Sequence, residues 1–211
     1  MLISSYNPTA LGDVLMMITG QATNAEQEVE LKGDVARIYR TSDQQLVGVN
    51  LLNANNYVDN LTGNGQIFLD DQQVEQVNQA LKTNGFSDRL QADHEPKFVV
   101  GLVETLVAHP DSDHLHIAQV DLGQEKLQIV CGAPNVGVGQ KVVVAKVGAM
   151  MPDGKLIWPG KLRGVESFGM ICSARELGLS GAPQRHGILV LDATSEVGVA
   201  FDFDQDYSRN Y

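Results

Sequence analysis

Apolar residues come in short bursts along this chain, the longest uninterrupted one being Val14 to Ile18, five residues. Bursts of that length, closed off by Gly, Asn, Asp and Pro, suit β-strands. They exclude a bilayer-spanning helix, which needs about 20 apolar residues in a row. Forty-three per cent of the 211 residues are hydrophobic and 19% are charged, so the bursts build packed cores, not a disordered tail. The length accommodates two small domains. Residues 1–20 lack a basic n-region and a long apolar h-region, which predicts no secretory signal and a cytoplasmic protein.

In the first half the runs Leu2–Tyr6, Val14–Thr19, Asp34–Tyr39 and Leu46–Leu52 predict an antiparallel sheet. Six asparagines between Asn50 and Asn64 mark a loop, because Asn tolerates left-handed backbone. A helix is expected next. Asp70 or Asp71 caps it, Val74, Val77 and Leu81 share one face, and Gly85 takes the left-handed C′ position. The polar stretch Ser87–Lys97, with Pro96, is the expected linker.

From Phe98 the texture changes to strands and turns. Phe98–Ala108, Ile117–Leu122, Leu127–Cys131, Val142–Val147 and Ile188–Leu191 predict a small barrel that closes its own edges. Ser173-Ala174-Arg175-Glu176 reads as a capping box opening a helix that Gly178 stops after about one turn.

A net charge of −11 disfavours a polyanionic partner, but the charge is unevenly spread. Residues 1–97 carry −7, 98–125 carry −5, 126–190 carry +5 and 191–211 carry −4. The basic segment coincides with most of the predicted barrel.

Three constellations bear on chemistry. His109, His114 and His116 with Asp111 and Asp113 resemble a metal-binding cluster, but no second His or Cys group completes it, and a Pro-Asp turn explains the same residues. Cys131 and Cys172 lack CxxC spacing and read as buried, unreactive thiols. From Trp158 to Met170 aromatic and basic residues alternate (Trp158, Lys161, Arg163, Phe168), a mixture that suits RNA: cations meet phosphates and rings stack on bases.

A resemblance extends this reading. The strings Val100-Gly101, His109-Pro110 with Asp113 and Leu115, Ile129 to Asn135, Gly139 to Val142, Lys161 to Ser167, Gly169 to Ser173 and Glu176 to Leu179 stand in one order. Together they resemble the tRNA-binding domain of bacterial phenylalanyl-tRNA synthetase beta subunits, which recurs in methionyl-tRNA synthetase tails and in endothelial-monocyte-activating-polypeptide-like proteins. A free-standing chain with that domain after an unrelated half is similar to the YtpR-type tRNA-binding proteins of Gram-positive bacteria. The resemblance implies an oligonucleotide-binding barrel with no catalytic role. This chain departs from the pattern at His114 and His116, where basic residues are usual, and at Phe168, where an acidic or polar residue is common.

The expected fold class is an α+β N-terminal domain (1–93), an all-β OB-fold barrel (94–200) and an acidic tail (201–211). The expected partner is tRNA or another structured RNA, held by shape and backbone, with no cofactor, no metal and no catalysis. Lys161 and Arg163 are the expected phosphate contacts, supported by Lys141, Lys146 and Arg175. Asn135 and Ser167 are expected to bond sugar or phosphate oxygens, and Phe168 or Trp158 to stack. The alternatives are a protein-interaction or homodimerisation module with vestigial RNA binding and, more distantly, a metal-dependent hydrolase built on His109 to His116.

Overall fold

The computed structural model describes residues 1–211, which form two compact units, Met1–His94 and Glu95–Tyr211. The chain is mostly β, with few helices, and no helix is long and apolar enough to cross a membrane.

In the first unit six strands make one antiparallel sheet: β1 (Ile3–Tyr6), β2 (Val14–Ile18), β3 (Gln27–Lys32), β4 (Val35–Arg40), β5 (Leu46–Leu52) and β6 (Gly65–Ile67). Their order across the sheet is β3-β4-β5-β2-β1-β6. Two α-helices accompany them, the single turn α1 (Pro8–Leu11) and the longer α2 (Asp71–Thr83). Leu15, Met17, Val35, Val49 and Leu51 pack with Val74, Val77 and Leu81 of α2 in one core. Asp70 caps α2 in a reciprocal box with Gln73. At the other end Gly85, at φ +82°, lets Phe86 N–H reach Leu81 O and its own N–H reach Lys82 O. Asn53 and Asn60 adopt positive φ in the asparagine-rich loop.

The sequence reading missed β3 and β6. It also took Ser87–Lys97 as a linker, whereas the beginning of that stretch is fastened to the first unit. Leu90 is buried, its N–H and carbonyl are both bonded by the Asn78 amide, and Asp88 takes the Arg37 guanidinium at 2.6 Å.

The second unit contains β7 (Phe98–Ala108), β8 (His116–Asp121), β9 (Lys126–Cys131), β10 (Lys141–Lys146), β11 (Gly160–Leu162), β12 (Val165–Ser167), β13 (Gly169–Ile171) and β14 (Val190–Leu191). Its main sheet runs β13-β10-β7-β8-β9, β14 also pairs with β10, and β11–β12 is a separate hairpin. The expected self-closing barrel is therefore corrected to an open sheet. No ladder joins β13 to β9. The two edges lie against each other beside the segment leading into β13: Phe168 N–H donates to Gln128 O, Ser167 Oγ accepts from Val130 N–H, and Glu166 O accepts from the Gln128 amide.

Both faces of this sheet are covered. Val142 and Val144 belong to one buried cluster, with Val103, Val120 and Ile129, while Val143 and Ala145 belong to another, with Leu177, Leu189, Phe201 and Tyr207. The stretch 201–211, read as a tail, thus supplies two aromatic rings to the core. Gly101 is required by packing, since a β-carbon there would stand 2.6 Å from Val120 Cγ1. The Ser173 capping box is present, but it closes one turn, with no helix beyond it.

Candidate nucleic-acid interface

A cleft opens in the second unit where three segments meet: the loop after β9, the turn after β13 and the approach to β14. One cavity of about 280 Å³ is lined by Asn135, Ser173, Arg175, Arg185, His186 and Gly187. A neighbouring cavity of about 300 Å³ shares Arg175, Arg185 and His186 and adds Gly132, Pro134 and Glu176.

The walls are set by local hydrogen bonding. The Asn135 amide donates to Ile188 O at 3.0 Å and accepts from Ile188 N–H at 2.8 Å. Gln140 donates to Asn135 O at 2.9 Å and accepts from Gly137 N–H at 2.7 Å. Gly187, at φ +146°, makes room, because a β-carbon there would sit 2.9 Å from Asn135 Oδ1. Asn135, expected as an RNA contact, is thus already engaged in shaping the loop.

The electrostatics follow from what the carboxylates do. Glu176 is the one acidic residue lining the two cavities, and its carboxylate is turned to Ser173, 2.8 Å from the N–H and 2.7 Å from Oγ. Arg175 and Arg185 are exposed and neither forms an ion pair.

The β11–β12 hairpin carries Lys161 and Arg163. Arg163 and Gly164 both have positive φ, +45° and +86°, which lets a two-residue turn follow the strand twist. The tip is clamped onto the turn after β7. Arg163 Nη1 donates to Asp111 O at 2.8 Å, and His109 Nε2 lies 3.0 Å from Leu162 O. Asp111 N–H donates to His109 Nδ1 at 3.1 Å, so Nε2 carries the proton that reaches Leu162. Lys161 stands 3.5 Å from Glu166 across the hairpin, both well exposed.

The remaining expected residues lie elsewhere. Lys141 and Lys146 terminate β10 at opposite ends, about 17 Å apart at roughly 3.4 Å per residue. Lys141 donates to Ser195 O. Lys146 is held between Glu95 and Glu125. Burial alone would lower its pKa, but the two carboxylates hold it above the ordinary lysine value. Ser167 is buried and links β12 to β9. Phe168 is 36% exposed, and Trp158 is half-buried.

The histidine cluster is divided among three tasks. His109 uses both ring nitrogens in the hairpin clamp, His114 Nδ1 meets Asp113 at 2.9 Å, and His116 stands opposite Cys131 in the β8–β9 ladder. Burial raises the pKa of both thiols, Cys172 to about 12.

Sequence reasoning missed Arg185 and His186 as cleft residues. The available signal was their place in the +5 segment, next to a glycine close to the last strand.

Comparison with known proteins divides the chain in a similar way. Residues 22–93 match the family described as "Domain of unknown function (DUF4479)", and residues 98–200 match "Putative tRNA binding domain". The chain is similar to "Putative tRNA-binding protein YtpR" of Bacillus subtilis, with 47% identity over 94% of this chain and 98% of the relative. It is 59% identical over 42% of its length to the phenylalanine–tRNA ligase beta subunit of Oceanobacillus iheyensis, of which 11% is covered. The corresponding subunit of Sulfurimonas denitrificans is 50% identical over 54% of this chain and 14% of its own length.

Proposed function

Because the chain belongs to the family of YtpR, which is named for tRNA binding, we propose that it binds tRNA through its second unit and carries out no catalytic step. The unit is read as an OB-fold barrel with one open seam, recognising RNA shape and backbone. A six-stranded sheet whose β13 and β9 edges are drawn together at Phe168 and Gln128 supports that reading. The first unit is read as a separate α+β domain, and the protein as cytoplasmic.

One observation carries the proposal: Arg175 and Arg185 line the same cleft without a carboxylate partner, while Lys126 and Lys146 are paired with Glu104 and with Glu95 and Glu125. Unpaired guanidinium groups in a concave site recognise phosphate oxygens bidentately. Lys161 and Arg163 extend the basic surface along the hairpin. Phe168 and His186 supply faces on which an unstacked base rests. Asn135 and Ser167 shape the surface, and Lys141 and Lys146 hold the scaffold.

A protein-interaction module is the second reading, favoured by the net charge of −11. An electrophoretic shift with bulk tRNA at low salt separates the two. A retarded complex that competing tRNA dissolves supports the proposal, and no complex at low salt refutes it.

A further inference from the structure

The first unit ends on one side in an unusual edge strand. β3 pairs with β4 alone, spans six residues and exposes Val29 (60%) and Leu31 (61%). Exposed apolar edges are templates for pairing with another chain, and proteins normally blunt them.

Hydrogen-bond parity identifies which backbone groups are available. Lys32 and Val35 flank the two-residue turn, and Thr41 N–H bonds Glu26 O, so even-numbered residues of β3 bond to β4. The N–H and C=O groups of Gln27, Val29 and Leu31 therefore point away from the sheet. Side chains alternate as well. Val35 is buried in the core with α2, so its neighbours Ala36 and Ile38, and the opposing Leu31 and Val29, lie on the other face.

We propose that β3 pairs with β3 of a second copy of this chain, antiparallel about a two-fold axis at Glu30, making one continuous sheet. Among registers that use the outward-facing groups, this one sets both exposed apolar residues opposite apolar partners. Val29 falls opposite the partner's Leu31 and Leu31 opposite the partner's Val29, each pair exchanging two backbone hydrogen bonds. Glu28 falls opposite the partner's Lys32, and Lys32 opposite the partner's Glu28. The two Glu30 carboxylates meet at the axis, but each already has Lys32 of its own strand at 2.9 Å. Moving the axis to Val29 instead sets Glu28 against the partner's Glu30, a like-charge pair.

The edge is also preformed. Asn84 of α2's C-cap accepts from Asp34 N–H at 3.2 Å, and Lys32 lies 4.6 Å over the Phe86 ring, so the β3–β4 turn is fixed to the helix end. No loop has to order before pairing.

Sedimentation of the full chain up to about 200 µM, enough for a weak homodimer, tests this. A concentration-dependent dimer is expected. Val29→Pro removes an outward N–H that the monomer's own ladder does not use, and weakens the dimer at least tenfold. Circular dichroism and a thermal melt establish that the variant is folded. Glu28→Lys alone also weakens the dimer, and Glu28→Lys with Lys32→Glu recovers part of that loss, the remainder reflecting the Lys32 contacts with Glu30 and Phe86 that the exchange removes. Those two positions lie four residues apart on one strand and cannot compensate within a chain. A protein that stays monomeric, or a dimer indifferent to Val29→Pro and to the charge exchange, overturns the proposal.

Discussion

The Asn135 side chain brackets the backbone of Ile188, accepting from its N–H at 2.8 Å and donating to its carbonyl at 3.0 Å. Asn135→Ala removes both bonds and leaves two backbone groups without partners, a loss of about 1–3 kcal/mol per unsatisfied group when fully buried and less here. Urea melts measure that loss. At a temperature where the variant remains folded, its tRNA affinity stays within about threefold of wild type, less than 1 kcal/mol. A large affinity loss without a stability loss returns Asn135 to direct RNA contact.

The hairpin clamp predicts a hierarchy. His109 reaches both Leu162 O and Asp111 N–H, whereas Arg163 makes a single bond to Asp111 O. His109→Ala should therefore free the β11–β12 hairpin, and Arg163→Ala should loosen it less. Limited trypsin digestion, followed at Lys161, reads the difference. Equal cleavage rates in His109→Ala and wild type refute the clamp.

Much of the fold was legible because its strands announce themselves. Val142 to Ala145 is a fully apolar run flanked by two lysines, and it became the strand buried on both faces. The strand Gln27–Lys32 was invisible for the opposite reason: with charged residues at 28, 30 and 32 it lacks the aliphatic density of a core strand. The β11–β12 hairpin was hidden by a turn built on Arg163-Gly164, which carries a positive φ on arginine. The site was less legible than the fold. Composition counted Lys146 as a cation, but only folding brings Glu95 and Glu125 against it. Asn135 and Ser167 resemble ligand contacts in sequence and turned out to hold neighbouring backbone.

The Glu95 carboxyl is held below the ordinary glutamate value by the ammonium of Lys146 first and of Lys97 second. A depressed folded pKa contributes stability above the ordinary value and loses it as pH falls through the lowered one. Stability should therefore decline on acidification below about 4.5. Glu95→Gln should be less stable at neutral pH and show a shallower decline. Thermal melts across that range at low salt check this, and superimposable pH profiles contradict it.

Burial pushes the Cys172 thiol up to about 12 and raises Cys131 as well. Only thiolate reacts quickly with disulfide reagents. At pH near 8 neither cysteine should react appreciably until denaturant is added, when both should react together. Rapid labelling of either one in the native protein refutes its assignment as a packing residue.

Salt dependence tests the central claim most directly. With three or four phosphates neutralised, log affinity for tRNA falls against log salt with a slope of about −2 to −4. Arg175→Ala with Arg185→Ala should shrink that slope by about one to two, Lys161→Ala with Arg163→Ala should shrink it by a similar amount, and Lys146→Ala should leave it unchanged. An unchanged slope in the Arg175 and Arg185 double variant, or a loss confined to Lys146→Ala, contradicts a phosphate-binding cleft.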